Sequence, residues 1–203
     1  MADGKDNKSR DAILALFLLS SAAIAAFADA IYQAQMDAAE AAYTDAADAI
    51  GADASDFTLP DGLLRTMAKA AQESAQSIVT TYNESITREA ANYTGDVLHA
   101  HLAEWAKERA DWKSSQVSMY ETSKGYSSGI DQMVSDILAG DLELPDNIPM
   151  EDLVVTVLPD VSSPDECADY AGQSYPLSEA DDVLSMFPAH ANCIHWCEVG
   201  FAT

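Results

Sequence analysis

The chain has very few basic side chains. Its 203 residues include 10 Lys and Arg against 34 Asp and Glu, which gives a formal net charge of -24. So few cations cannot form the basic surface with which proteins neutralise the phosphates of nucleic acid. They also exclude a polybasic segment of the kind that binds anionic lipid headgroups. The composition therefore predicts no strong intrinsic affinity for nucleic acid or for an anionic membrane surface.

Basic residues are absent altogether from the C-terminal part of the chain. Lys124 is the last of them, and the 79 residues that follow carry fifteen Asp and Glu. At ordinary ionic strength such a segment repels itself. At molar salt the Debye length falls to about 3 Å, and the repulsion is screened. The composition therefore favours adaptation to high salt over the alternative of a merely acidic protein.

Cysteine is scarce as well. The three cysteines, Cys167, Cys193 and Cys197, all lie in the last 37 residues. An odd number in one cluster excludes the disulfide framework of a small secreted domain. Because 48% of the residues are hydrophobic, the chain can nevertheless bury a core without such crosslinks.

One long apolar run stands near the N-terminus, from Ala12 to Ala28 between two aspartates. A helix that is apolar all round must be buried against partners, so burial in a protein assembly is the favoured interpretation. Seventeen residues are at the short limit for a membrane span, which is the second interpretation. The small residues near Ala28 leave a signal peptide as the third.

The spacing of the remaining apolar residues predicts a mainly α fold with long N-terminal helices. The first helix is expected to continue to Ile50, the second to run from Asp61 toward Trp112, and the third from Val117 to Leu138. Gly51 and Gly140 fit positions just after helix ends. Small residues in the first helix predict a narrow seam for close packing: Ala38, Ala39, Ala42, Ala46 and Ala49.

A small α+β module with short strands and a Cys/His-rich turn is expected to follow these helices. Leu153–Leu158, with the sequence LVVTVL, is short and rich in β-branched residues, which predicts a strand. We therefore divide the chain into an N-terminal apolar helix extension (1–58), a long helical region (59–140) and the C-terminal module (141–203). His99 and His101 lie two apart on a predicted helix and are expected on its solvent side.

A cluster of Cys and His residues near the C-terminus has the composition of a zinc site. His190, Cys193 and His195 place three donors on one short loop, and Cys167 could supply the fourth. Zinc prefers four N or S ligands in a tetrahedron. Cys197 is a substitute ligand or a bystander. The alternatives are a disulfide, Cys193–Cys197 or Cys167–Cys193, and packed free thiols.

The stretch 164–196, PDECADYAGQSYPLSEADDVLSMFPAHANCIHW, resembles the C-terminal signature of phage minor head proteins of the Mu F type, the head morphogenesis family. That signature has a Cys-x-x-Cys pair, a glycine, an aromatic residue and then Pro-x-His-Pro-x-Cys-Arg-Cys. The positions that fall on it in register are Cys167, Gly172, Tyr175, Pro188, His190, Asn192 and Cys193.

Four positions depart from the family signature. Pro164 stands at the first cysteine, Ala191 at the second proline, Ile194 at the arginine and His195 at the last cysteine. Exchange of Cys for His keeps the type of residue that binds zinc. The resemblance therefore implies a Cys2His2 zinc set of Cys167, His190, Cys193 and His195.

The resemblance implies a structural minor capsid protein of a halophilic tailed virus, bound at the portal vertex. Its expected partners are the portal protein and the major capsid protein, and its expected place is the capsid interior near the portal, after assembly in the host cytoplasm. It would lie near packaged DNA without binding it strongly, with the N-terminal helix buried in the assembly.

The alternative is a membrane-anchored or exported acidic haloarchaeal protein, in which the apolar run is the anchor. Three triplets have the pattern of glycosylation sites, which weakly favours export: Asn7-Lys-Ser9, Asn83-Glu-Ser85 and Asn92-Tyr-Thr94. No enzyme activity is expected, because the sequence shows no phosphate-binding glycine loop and no nucleophile elbow.

Overall fold

A computed structural model describes residues 10–158, 166–189, 193 and 195–202; within them, the side chains of 96, 111–113 and 166 are not described. The fold is mainly α, as predicted. The long helices are α1 (Ser21–Ile50), α2 (Asp61–Ala90) and α3 (Gly95–Ala139), and the small C-terminal module contains strands β1 (Leu153–Leu158), β2 (Ser174–Pro176) and β3 (Trp196–Phe201) with the short helix α4 (Asp181–Met186).

The N-terminal apolar run does not form one helix, contrary to the prediction. Residues 10–15 are helical, a turn and a bend without regular secondary structure follow at 16–20, and α1 begins only at Ser21. The run is also only partly covered within the chain, since Leu16 remains 73% exposed. Among the described residues, no helix is both long and apolar enough to cross a membrane.

The second predicted helix ends early, and the third is longer than expected. α2 begins at Asp61 as predicted but ends at Ala90, because a turn at 91–94 reverses the chain. Gly95 has a φ of +59° and stands at the start of α3, which then runs without interruption for 45 residues. Gly51 and Gly140, with φ of +73° and +78°, follow the ends of α1 and α3 as predicted.

The described residues form two compact units. The first lies within Met1–Tyr32 and Ala68–Ser115, and the second within Gln33–Met67 and Gln116–Thr203. The predicted boundaries at 58/59 and 140/141 fall in connections between elements.

The charged residues are divided very unequally between the two units. The first unit's sequence has eleven acidic and eight basic residues, whereas the second has 23 acidic residues and only Arg65 and Lys124 as basic ones.

The first unit is built around the turn between α2 and α3. One buried cluster consists of Ile86, Ala90, Leu98 and Leu102, and Phe17 packs against it. Apolar residues at the edge of this cluster include Ile13, Leu14, Tyr82, Tyr93 and Trp105. Other residues of the unit are also buried: Ala28, Ile31, Ala71, Ala75 and Val79.

The two histidines of the first unit differ in environment. His99 is exposed, as predicted, and its ring meets that of Phe17 edge-on at 5.5 Å. His101 is partly buried, contrary to the prediction. Its Nε2 lies 2.6 Å from Oε1 of Glu89, and its ring stacks on Tyr93 at 3.9 Å. These contacts link the end of α2 to the beginning of α3.

The second unit holds the main core. The predicted seam of small residues on α1 is mostly confirmed: Ala38, Ala39, Ala42 and Ala46 are buried, but Ala49 is exposed, and Ala47 is buried in its place. The helix that packs there is α3, through two glycines. The ideal Cβ of an alanine at Gly125 would lie 2.7 Å from Cα of Gln35, and one at Gly129 would lie 2.9 Å from Cα of Ala39.

The three strands form an antiparallel sheet in the order β2-β1-β3. β1 pairs with β3 over six residues, from Leu153↔Phe201 to Leu158↔Trp196. Alternate residues of β1 are buried, and so are Cys197 and Val199 of β3, because side chains along a strand point to opposite faces. The buried face joins the core formed by α1, α3 and α4.

Candidate metal centre

The register of the sheet brings the Cys/His residues together. Because Leu158 pairs with Trp196, the chain enters β3 beside the end of β1. Cys193 and His195 lie immediately before β3, whereas Cys167 lies in a 3-10 helix, Glu166–Tyr170, on the segment between β1 and β2. Residues far apart in sequence are thus placed at one end of the β1–β3 pair.

Cys167, Cys193 and His195 form a group that could hold a metal ion. Their ligand atoms all lie within 4.8 Å of one another. Metal–ligand bonds of about 2.3 Å for sulfur and 2.0 Å for nitrogen put tetrahedral ligands about 3.4–3.8 Å apart. The spacing therefore requires little movement to accept an ion. Cys167 and His195 are each 2% exposed, and Cys193 is partly buried.

The fourth predicted ligand, His190, lies outside the described residues. Of the predicted set, three members are therefore brought together by the fold. The thiol of Cys193 donates a weak hydrogen bond, 3.8 Å long, to the carbonyl oxygen of His195.

Cys197 behaves as a bystander. It is fully buried on the inner face of β3, opposite Val157. Burial, with a smaller contribution from nearby Cys193, raises the pKa of its thiol to about 12. Its sulfur is not part of the group formed by Cys167, Cys193 and His195. All three cysteines are present as thiols, and neither of the two disulfides considered from the sequence is formed.

An aromatic side chain, that of Phe187, lies next to the Cys167, Cys193 and His195 group, and the spacing of Cys and His residues in the sequence did not predict it. The ring of Phe187 is 6.3 Å from that of His195 and meets Tyr170 edge-on at 6.1 Å. Phe187 is 4% exposed and precedes Pro188 across a cis peptide bond. In the sequence, the only indication of a role for Phe187 was its position directly before Pro188, which matches a proline of the family signature.

A bound cation would allow both thiols of the group to ionise. Two thiolates within 4.8 Å of each other would repel unless a positive charge lay between them. The last 79 residues provide no Lys or Arg for that purpose. A bound metal ion would supply the charge and would link the segment after β1 to the segment before β3.

Comparison of the chain with family models, with curated proteins and with solved structures finds no match.

Proposed function

We propose that the chain is a structural minor capsid protein of a halophilic tailed virus, a head morphogenesis protein bound at the portal vertex. Cys167, Gly172, Tyr175, Pro188 and Cys193 match the family signature in register. The observation that carries the proposal is the convergence of Cys167, Cys193 and His195 within 4.8 Å, because two signature residues, Cys167 and Cys193, that are 26 positions apart in sequence are neighbours in space.

The metal in this proposal is zinc, with Cys167, Cys193 and His195 as ligands and His190 as the fourth. Two sulfur and two nitrogen donors suit tetrahedral zinc better than Mg²⁺ or Ca²⁺, which prefer oxygen. Four protein ligands leave no open position for a substrate, so the ion has a structural role. We accordingly propose no enzymatic activity for the chain.

The unequal charge of the two units supports a place inside an assembly. The second unit, with a net charge of -21, suits exposure to concentrated salt, where it stays hydrated and its repulsion is screened. The first unit is nearly neutral and exposes Leu16, Leu18 and Phe27. We assign this apolar surface to contacts with the portal and major capsid proteins.

The proposal is tested by fractionation of cells that produce the virus. An antibody against the protein should detect it in purified capsids, at a fixed ratio to the portal protein, and in the cytoplasm during assembly. Recovery only from membranes, released by detergent and absent from capsids, would favour the anchored alternative and reject the proposal. Purified protein should show no DNA binding at about 0.2 M salt, because it lacks the cations that drive counterion release.

A further inference from the structure

Two side chains of the candidate metal centre are thiols that can also react with each other. The sulfur atoms of Cys167 and Cys193 lie within 4.8 Å of each other, and neither is in a disulfide. The S–S bond of a disulfide is about 2.0 Å long, so the two sulfurs need to approach by at most about 2.8 Å. Rotation about χ1 moves each sulfur without moving the backbone. The same pair can therefore share either a metal ion or a covalent bond.

Solvent reaches the two residues unequally. Cys193 is partly exposed, whereas Cys167 is 2% exposed and lies in the 3-10 helix Glu166–Tyr170. Exposure is one of the properties that decide which cysteine is oxidised. An oxidant in solution therefore meets Cys193 first, and Cys167 is close enough to react with the oxidised sulfur.

Cys197 is not placed to compete for this bond. It is fully buried in β3, where it pairs with Val157, so an oxidant in solution has no access to it. Its sulfur also lies outside the group in which all ligand atoms are within 4.8 Å of one another. Cys167 is thus the expected partner of Cys193.

The surroundings of Cys193 select a small and uncharged oxidant. The second unit has 23 acidic residues and two basic ones, so it repels anions, which include oxidised glutathione. Because Cys193 is only partly exposed, a bulky oxidant is also disfavoured. Hydrogen peroxide is small and neutral and meets both conditions.

We propose that Cys167 and Cys193 form a reversible disulfide when hydrogen peroxide oxidises the centre. The sulfur of Cys193 attacks one oxygen of the peroxide, the O–O bond breaks, and a sulfenic acid and one water form. The sulfur of Cys167 then attacks the sulfenic sulfur, the S–O bond breaks, and the disulfide and a second water form. Two thiols thereby lose two electrons and two protons, and the peroxide is reduced to two waters. Where both sulfurs are already thiolates, the two protons come from the solvent.

The disulfide and a bound metal ion exclude each other. The thiolate is the form of cysteine that binds metals, so oxidation removes two of the four proposed zinc ligands and releases the ion. The disulfide then links the segment between β1 and β2 to the segment before β3 in place of the ion. These segments thus stay linked both in a reducing cytoplasm and in oxidising surroundings outside the cell. The inference deepens the proposed function and rests on it for the metal.

The experiment treats the full chain, loaded with zinc, with hydrogen peroxide. A metal-sensitive dye measures the released zinc, and mass spectrometry of unreduced digests identifies the disulfide. Trypsin leaves Cys167, Cys193 and Cys197 on one fragment, because no Lys or Arg follows Lys124. Chymotrypsin is used instead, since it cuts after aromatic residues and cleavage at Phe187 and Trp196 separates the three cysteines.

We expect one zinc to be released for each disulfide, together with a crosslinked pair of peptides that contain Cys167 and Cys193. Dithiothreitol should restore both thiols and the binding of zinc. The oxidised zinc-free chain should melt about 5 °C above the reduced zinc-free chain, because the covalent link restricts the unfolded chain. Cys197→Ala is the matched control and should form the same disulfide. Cys193→Ser should form none.

The possible failures are distinguishable. Zinc that stays bound under peroxide, with no disulfide formed, would overturn the inference and leave the proposed zinc site intact. Oxidation of Cys193 to the sulfinic acid without a crosslink, or a bond between Cys193 and Cys197, would also overturn it. A chain that binds no zinc but forms the Cys167–Cys193 bond would reject the zinc site and support the disulfide.

Discussion

The side-chain amide of Asn83 forms two hydrogen bonds with the backbone of Leu19. Leu19 N–H donates to Oδ1 of Asn83 at 2.9 Å, and Nδ2 of Asn83 donates to the carbonyl oxygen of Leu19 at 3.0 Å. The amide thereby satisfies a peptide group that lies in the break before α1 and outside the helical ladder. A side chain on α2 thus stabilises the interruption of the apolar run. Because the same amide would be the acceptor of a glycan, Asn83 does not fit the glycosylation site considered from the sequence.

Asn83→Asp should destabilise the protein. The aspartate keeps the acceptor for Leu19 N–H but loses the donor and places a negative charge beside the carbonyl oxygen. We expect a loss of about 1–3 kcal/mol in the free energy of unfolding, measured by urea denaturation with circular dichroism. Asn92→Asp, at an exposed position in the α2–α3 turn, is the control and should change stability by less than about 0.5 kcal/mol. Equal effects of the two substitutions would contradict a special role for Asn83.

Alanine at Gly125 or Gly129 should force α1 and α3 apart. A glycine in a helix interior normally lowers stability by about 0.5–1 kcal/mol relative to alanine. Here the added Cβ would meet the backbone of Gln35 or Ala39, so each substitution should cost about 2–3 kcal/mol. Gly62→Ala in α2 is the matched control, since its Cβ would meet nothing within 4 Å. Thermal unfolding measures all three, and stabilisation by Gly129→Ala would disprove the close packing.

Tyr43 should make stability fall in alkaline solution. Its hydroxyl donates to Oδ2 of Asp136 at 2.8 Å, and its ring stacks on Phe57 at 3.4 Å. Burial, then the hydrogen bond and the charge of Asp136, raise the pKa of Tyr43 above its ordinary value of 10.0. The unfolded chain therefore releases the Tyr43 proton first, and the stabilisation, complete below pH 10, is lost as the pH rises above it.

Tyr43→Phe tests this dependence. At pH 7 the substitution should cost about 1 kcal/mol through loss of the hydrogen bond. Above pH 10 it should give a shallower fall of unfolding free energy than the unchanged protein, although burial also raises the pKa of Tyr82, Tyr126 and Tyr175, so some slope will remain. Urea denaturation at a series of pH values measures the slopes. Identical slopes would show that Tyr43 ionises equally in both states.

Cys167→Ser should abolish the binding of zinc by the C-terminal module. We expect about one zinc per chain in the unchanged protein and a fall in melting temperature after chelation. In Cys167→Ser the zinc should be lost and chelation should have no further effect, while the far-ultraviolet signal of the long helices persists. Cys197→Ala is the matched control: it removes a buried thiol outside the ligand group and should keep the zinc. Absence of zinc from the unchanged protein would remove the proposal.

Some elements followed directly from local sequence. Leu153–Leu158 was predicted as a strand and is β1, and Gly51 and Gly140 stand after helix ends with positive φ. These predictions depend on properties of single residues and their neighbours, namely β-branching and the freedom of glycine. Whether the predicted ligands lie close together could not be predicted in this way, because the distance between Cys167 and Cys193 depends on the tertiary structure.

The predictions that failed concern where long helices end. Apolar spacing continues through residues 16–20 and 91–94, so it predicted continuous helices, but the chain turns at both places. The turn at 16–20 is stabilised by Asn83, 64 residues away. The partial burial of His101 depends in the same way on Glu89 and Tyr93. No local pattern carries such information.

The sequence by itself determined the shortage of basic residues, the acidity of the C-terminal part, the mainly helical character of residues 10–139 and the set of residues able to bind a metal. The tertiary structure decided how these are distributed: it collected nearly all of the excess negative charge in one unit and brought Cys167 beside Cys193 and His195. The physical reason is that composition and periodicity act within a few residues. Strand register and close contact of helices, as at Gly129 and Ala39, depend on packing between segments distant in the chain.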